Sequence, residues 1–167
     1  MGYHDHAHDL PDEVTFSVLI ISDSRTEDTD ETGKWLLSAI PGSGHIALEY
    51  GLVKNDAGQI MNKFTQFLNN QECKVIICSG GTGASHKDIT IETLTPFMDK
   101  IMDGFGEVFR RFTFDEIGTG AILSRATAGI KNGKVVICLP GSLNAVKMAY
   151  EKIIVPEIRH LVKEASR

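Results

Sequence analysis

The chain of 167 residues contains no uninterrupted apolar segment as long as a membrane-spanning helix requires. Such a helix needs about 20 consecutive apolar residues. The chain also does not begin with a basic segment followed by an apolar one, as a secretory signal would. The sequence therefore predicts a cytoplasmic protein without a membrane partner.

Cysteine is scarce, because only Cys73, Cys78 and Cys138 occur. Their number is odd, and no C-x-x-C spacing typical of zinc or redox sites is present. All three lie in or beside apolar segments. We therefore expect buried free thiols rather than disulfides or metal ligands.

Positive charge is not in excess either, because 17 Lys and Arg residues face 22 Asp and Glu residues, for a formal net charge of -5. A nucleic acid-binding surface needs a basic face, so no nucleic acid partner is expected. The 42% hydrophobic and 23% charged residues are typical of a globular protein. The length suits one domain.

The first twelve residues are polar and carry His4, His6 and His8. A histidine-containing segment without apolar periodicity is typical of a disordered tail or of adventitious metal binding. We therefore predict a tail over residues 1–12 and a single domain over residues 13–167.

Short apolar segments alternate with amphipathic ones along the rest of the chain. Strands are predicted for residues 14–21, 45–53, 74–78 and 135–139. Helices are predicted for residues 30–38, 56–69, 90–98, 105–116 and 143–165, with Pro41-Gly42 closing the first, Pro156 ending or kinking the last, and a linker at 123–129. This alternation indicates an α/β fold in which helices cover both faces of a parallel sheet.

Glycine-rich and serine-rich segments follow three of these strands. Ser22-Asp23-Ser24 follows the first, and Ser79-Gly80-Gly81-Thr82-Gly83 follows the third. Ligands of parallel sheets bind beyond the carboxyl ends of the strands. The second segment matches neither a Walker A loop nor a G-x-G-x-x-G motif. It is predicted to cradle an anion with backbone N–H groups, and the alternative is a structural turn.

A third segment, Pro140-Gly141-Ser142-Leu143-Asn144, joins the last strand to the start of a long helix. The N-terminus of a helix attracts anions through its free N–H groups. Ser142 and Asn144 are predicted to donate to a ligand, and the alternative is that they only cap the helix.

Two carboxylates and one guanidinium complete the candidate residues. Asp88 follows the glycine-rich segment and Asp56 follows the second strand, so either could hold Mg²⁺ or cap a helix. Arg125, preceded by Ser124, could contact a phosphate or form an internal ion pair.

With these motifs in this order, the chain resembles the MoaB/Mog family of molybdenum cofactor biosynthesis. The runs Ser22-Asp23-Ser24-Arg25-Thr26 and Gly104-Phe105-Gly106-Glu107-Val108-Phe109-Arg110 resemble its MoaB branch. The resemblance implies a three-layer α/β/α sandwich with a mostly parallel sheet. It also implies Mg²⁺-dependent adenylylation of molybdopterin by ATP, release of pyrophosphate, a downstream metal-insertion partner and a homotrimer or homohexamer.

The resemblance also implies roles for individual residues. Asp56 and Asp88 match two acidic positions of the family, which implies that they bind Mg²⁺ and orient the α-phosphate of ATP. The residues implied to bind the nucleotide and the pterin are Ser22, Asp23, Ser24, Ser79, Gly80, Gly81, Thr82, Gly83, Ser124, Arg125, Pro140, Gly141, Ser142 and Asn144.

The sequence departs from the family at Leu143, where proline is frequent, at Lys87, where arginine is frequent, and at Ala126, where some relatives have serine. Two alternatives to the transferase therefore stay open. One is a non-catalytic molybdopterin-binding or carrier protein of the MoaB type. The other is a phosphate-handling protein similar to the nucleotide pyrophosphatase-like domains that share the fold.

Overall fold

A computed structural model of the chain describes residues 9–167, so the predicted tail residues His4, His6 and His8 lie outside the described part. Six strands form one sheet: β1 (Thr15–Ile21), β2 (Ile46–Val53), β3 (Val75–Ser79), β4 (Lys100–Ile101), β5 (Thr127–Lys131) and β6 (Lys134–Leu139). Their order across the sheet is β2-β1-β3-β6-β5-β4. Strands β2, β1, β3 and β6 are parallel to one another, while β5 is antiparallel to both β6 and β4.

In the described part of the chain, six α-helices connect or follow these strands. They are α1 (Glu31–Gly42), α2 (Ala57–Asn69), α3 (Thr90–Leu94), α4 (Asp103–Ile117), α5 (Leu143–Ala149) and α6 (Val155–Ala165). Short 3₁₀ helices lie at Thr95–Phe97 and Gly118–Leu123, and a π-helical segment at Tyr150–Ile154 joins α5 to α6. No helix within residues 9–167 combines the length and the apolar character needed to cross a membrane.

The alternation of side chains along each central strand produces two separate cores. In β1, Phe16, Val18 and Ile20 pack against one core, which α1, α4, α5 and α6 cover. Leu19 and Ile21 face the other core, which α2 and α3 cover. Successive residues of a strand point to opposite faces, so a strand that is apolar at every position must be covered on both sides. The predicted three-layer α/β/α fold is confirmed.

The antiparallel edge of the sheet differs from the sequence prediction. The linker predicted at residues 123–129 contains the start of β5, and β4 was not predicted. Strand β5 has the sequence TAGIK, in which Ala128 and Gly129 weaken the strand signal. A turn at Asn132 and Gly133, with φ of 50° and 74°, joins β5 to β6. Two positive φ values match the right-handed twist of a hairpin, so pairing with β6 selects the strand.

Helix ends also differ from the sequence prediction. Helix α1 continues to Gly42 and includes Pro41 in its last turn, rather than ending at residue 38. The last helical pattern does extend to residue 165 as predicted, and Pro156 lies in the first turn of α6, just after the π-helical segment that separates α6 from α5. A π segment accommodates the hydrogen bond that proline cannot make. Cys73, Cys78 and Cys138 are buried free thiols, as predicted.

Candidate functional site at the strand ends

The carboxyl ends of β1, β3 and β6 and the segment after β2 converge on one cavity of about 460 Å³, here called the strand-end cavity. This volume lies in the range of small-molecule sites. Sixteen residues line it: Ile21, Ser22, Asp23, Ser24, Arg25, Asn55, Gly80, Gly81, Thr82, Gly83, Asp88, Leu123, Ser124, Arg125, Pro140 and Gly141. The structure therefore brings the three predicted loops together at one edge of the sheet.

The glycine-rich loop has a backbone that only glycine adopts readily. Gly80 and Gly81 have φ of 105° and 64°. The N–H of Gly80 donates to Leu139 O at 2.9 Å, while a Cβ on Gly80 would overlap the carbonyl oxygen of Ile21. Thr90 fixes the loop from the other side, because its hydroxyl donates to Gly80 O at 2.7 Å and its N–H donates to Gly81 O at 2.9 Å. Neighbouring structure thus holds the loop in this shape.

Three of the residues that were predicted to bind the nucleotide or the pterin do not line the cavity. Ser79 is fully buried, and its hydroxyl donates to Pro140 O at 2.9 Å, which ties the first glycine loop to the second. Ser142 is the N-cap of α5 and accepts from the N–H of Ala145 at 3.3 Å. Asn144 lies in the first turn of the same helix. The second loop therefore faces the cavity through Pro140 and Gly141.

Arg25 lines the cavity, although the sequence analysis did not select it as a site residue. Its Nη2 donates to Gly141 O at 2.9 Å, and its Nη1 lies 3.8 Å from the carboxylate of Asp30. Asp30 is fully buried and accepts from Gly33 N at 2.9 Å and from the hydroxyl of Tyr50 at 2.6 Å. Burial and this hydrogen bond raise the pKa of Tyr50. The sequence feature that could have identified Arg25 as a site residue is its position in the Ser-Asp-Ser-Arg-Thr motif.

Arg125 forms the internal ion pair that the sequence analysis left open, and it also lines the cavity, so its contact with a phosphate stays a prediction. Its Nη1 donates to Gly83 O at 2.9 Å, and its Nη2 forms an ion pair with Glu92. Burial by itself raises the pKa of Glu92, but the hydrogen bond and charge of Arg125 outweigh it and leave that pKa below its usual value. The guanidinium is therefore held in the cavity wall with about a third of its side chain exposed.

Of the three aspartates near the strand ends, two line the cavity and one caps a helix. Asp88 lines the cavity and accepts from the N–H of Ser85 at 3.1 Å. Asp23 also lines it, and its Oδ1 accepts from the N–H of Asn55 at 2.9 Å. Asp56, in contrast, is the N-cap of α2, accepts from the N–H of Gln59 at 2.9 Å, and is not among the residues that line the cavity.

Asn55 occupies the place at the cavity that the sequence analysis gave to Asp56. Its Oδ1 is buried and has no hydrogen-bond partner among residues 9–167. A buried polar atom without a partner costs free energy unless a ligand satisfies it. Sequence reasoning missed this residue because an amide next to a carboxylate gives a weaker signal than the carboxylate.

Residues 17–160 match the family model described as "Probable molybdopterin binding domain". The chain belongs to the MoaB branch of the MoaB/Mog family. It is 38% identical over 165 residues to molybdenum cofactor biosynthesis protein B of Bacillus subtilis, an alignment that covers 98% of this chain and 97% of that protein. It is 41% identical, with the same coverage, to the protein of that name from Halalkalibacterium halodurans.

Solved structures of MoaB proteins have the same fold. A crystal structure of molybdenum cofactor biosynthesis protein B superposes with a TM-score of 0.90 at 39% identity, covering 94% of this chain and 98% of that chain. The tungsten cofactor synthesizing protein MoaB from Pyrococcus furiosus superposes with a TM-score of 0.83 at 35% identity, covering 94% and 99%.

Proposed function

We propose that this MoaB-family chain binds molybdopterin in the strand-end cavity and adenylylates it with ATP and Mg²⁺, releasing pyrophosphate. The observation that supports this proposal is the convergence of two glycine loops, two guanidinium groups and two carboxylates on one cavity. Glycine loops offer backbone N–H groups to phosphates, and arginine contacts phosphate through two parallel hydrogen bonds. Such a cavity suits ligands that carry phosphate.

The residues at the cavity fit a Mg²⁺ ion that arrives with a nucleotide. Within residues 9–167 no group of three or more His, Cys, Asp and Glu side chains is assembled to hold a metal. Mg²⁺ bound with a nucleotide needs only one or two protein oxygens besides phosphate oxygens and water. In this proposal Asp88 and the unpartnered Oδ1 of Asn55 would hold the ion, which would neutralise phosphate charge. Asp56 would contribute only indirectly, because it caps the N-terminus of α2 directly after Asn55.

The proposed reaction joins two anions. An oxygen of the terminal phosphate of molybdopterin forms a bond to the α-phosphorus of ATP, and the bond from that phosphorus to the pyrophosphate oxygen breaks. No side-chain nucleophile is required, so the protein contributes positioning and fixed positive charge. Arg25 and Arg125 would contribute without reorganising, because carbonyl and carboxylate partners already hold both guanidinium groups. The N–H of Gly80 is bonded to Leu139 O, so other N–H groups of the glycine loops would donate to the ligand.

Incubation of the chain with molybdopterin, ATP and Mg²⁺, followed by chromatography of the pterin products, tests this proposal. We expect adenylylated molybdopterin from the wild type and about 100-fold less from Asp88→Asn. Asp88→Asn keeps an oxygen that accepts from the N–H of Ser85. The matched control Asp115→Asn removes an exposed carboxylate of α4 that pairs with Arg111, and it should leave product formation unchanged.

A second candidate function is molybdopterin binding without turnover. The place of Asp56 favours it, since the segment after β2 presents the amide of Asn55 to the cavity rather than a carboxylate. A wild-type chain that binds molybdopterin but yields no adenylylated product would establish this function. A chain that does not bind molybdopterin would contradict both candidates.

We further propose that the chain acts in the cytoplasm as a homotrimer or homohexamer and passes its product to a metal-insertion protein. Exposed apolar side chains support self-association. Phe114 and Ile117 on α4, and Ile122 and Leu123 in the following 3₁₀ helix, are 52 to 80% exposed. Apolar side chains gathered on a surface are typical of protein interfaces.

A further inference from the structure

A second cavity lies at the opposite end of the sheet, where β3 and β6 begin. Its volume is about 720 Å³, and we call it the basal cavity. Strand β6 runs from Lys134 at this cavity to Leu139 beside the strand-end cavity, a distance of roughly 17 Å at strand geometry. The residues that line it are Asp9, Leu10, Pro11, Gln71, Lys74, Asn132, Gly133, Lys134, Val162, Lys163, Ser166 and Arg167. The proposed reaction uses none of them.

Positive charge dominates this lining. Four side chains are cationic, namely Lys74, Lys134, Lys163 and Arg167, whereas Asp9 has the one carboxylate side chain among the lining residues. Arg167 is paired with Glu164 at 3.0 Å. None of the three lysines forms an ion pair with a carboxylate of residues 9–167. The cavity is thus lined by three lysines that form no ion pair within residues 9–167.

Lys134 is the most constrained of the three. It is only 7% exposed, and its Nζ donates to the carbonyl oxygen of Asn70. Burial lowers its pKa, and the charge of Lys74 lowers it further, while Cys73 and Glu49 oppose the shift. Lysine is rarely buried without a charged partner, because removing an ammonium group from water is costly. An anion in the cavity would offset this cost.

Two groups of described residues bring negative potential to the lining of the cavity, a carboxylate side chain and the last carbonyl groups of α6. Asp9 lies at its edge. The carbonyl groups at the end of α6 also face this region, but the N–H of Ser166 donates to Val162 O at 3.1 Å and its hydroxyl donates to Lys163 O at 2.8 Å. The hydroxyl of Ser166 and the turn at Asn132 and Gly133 add polar groups to the lining.

From this arrangement we propose that the basal cavity binds a small anion with at least two negative charges, of the class of phosphorylated compounds. The volume suits a small ligand rather than a polymer. Lysine ammonium groups bind phosphate as point charges, and three of them can surround a multiply charged group from different directions. The site is distinct from the strand-end cavity and does not depend on the proposed adenylyl transfer.

Titration of the deuterated full-length chain with inorganic pyrophosphate, followed by amide NMR, tests this site and locates the binding. We expect saturable shifts of the amide signals of Asn132, Gly133 and Ser166. These shifts are separate from any at Gly81 and Gly141, which report on the strand-end cavity. Lys163→Gln should weaken the affinity measured at the basal signals about tenfold, since it removes one charged hydrogen-bond donor.

Two further variants make the result decisive. Lys134→Met replaces the buried ammonium by an apolar side chain of similar length and should also weaken binding, while Lys163→Gln covers the case in which Lys134→Met does not fold. Lys34→Gln removes an exposed lysine of α1 that lines neither cavity and should leave the affinity unchanged. Absence of shifts at the basal signals with millimolar pyrophosphate would overturn the proposal. Equal weakening by Lys34→Gln and Lys163→Gln would overturn it as well.

Discussion

Gly80 has a backbone φ of 105°, and the carbonyl oxygen of Ile21 fills the space where a side chain would begin. Its own N–H and C=O are both bonded, to Leu139 and to the hydroxyl of Thr90. Gly81 is equally confined, because a Cβ there would overlap Asn55 and Thr90. These glycines set the shape of the strand-end cavity by allowing close backbone approach.

Gly80→Ala is therefore expected to destabilise the fold by roughly 3 kcal/mol, because a side chain would force both a disfavoured φ and a steric overlap. Urea unfolding of the wild type and the variant measures the difference. Gly104→Ala is the matched control, since its Cβ would meet no atom within 4 Å and it lies in helix α4. There alanine should stabilise by up to about 1 kcal/mol. Equal effects at the two positions would contradict this account.

The helices and strands differ in how far their formation depends on their own sequence. Helix α2 begins at an N-cap that its own sequence provides, since Asp56 accepts from the N–H of Gln59. Strand β5 instead depends on its neighbours, because β6 and β4 supply its hydrogen bonds. From sequence alone, a carboxylate at the start of a helix can be either an N-cap or a ligand residue. In the structure, Asp56 is the N-cap of α2.

Variants of Asp56 separate the cap from a role at the cavity. Asparagine and aspartate are equally good N-caps, whereas alanine costs about 1 kcal/mol. We therefore expect Asp56→Asn to keep both the unfolding free energy and the affinity for molybdopterin, and Asp56→Ala to lose only stability. Urea denaturation and pterin fluorescence titration provide the two measurements. A large loss of molybdopterin affinity or product formation in Asp56→Asn would instead assign this carboxylate to the ligand.

The two cavities and the exposed apolar residues occupy defined places on the molecule. The strand-end cavity lies at one end of the sheet and the basal cavity lies at the other. The exposed apolar residues at the end of α4 and in the following 3₁₀ helix come next to the strand-end cavity, because Leu123 belongs to both. An interface formed there would place a second copy of the chain close to the proposed ligand.

Ile122→Asp tests whether this surface joins copies of the chain. Ile122 is 80% exposed, so a charge there should leave the fold intact and disfavour burial in an interface. In sedimentation velocity we expect a trimer or hexamer for the wild type and a shift toward monomer for Ile122→Asp. Gln66→Asp places the same charge on an exposed position of α2 and should leave the assembly unchanged. A monomeric wild type, or an unchanged assembly in Ile122→Asp, would contradict the proposal.

Local sequence patterns were sufficient to predict the α/β fold, the four central strands and the three loops of the strand-end cavity. Apolar periodicity and glycine placement are local properties of the chain, so they can be read without coordinates. Tertiary structure decided which polar residues face the cavity. Asp56 and Asn55 are adjacent in sequence, yet only Asn55 lines it, and Ser79 joins two loops instead of facing a ligand. Hydrogen bonds between segments that are distant in sequence fix the direction of these side chains and the pairing of β4 with β5, and no local pattern encodes those partners.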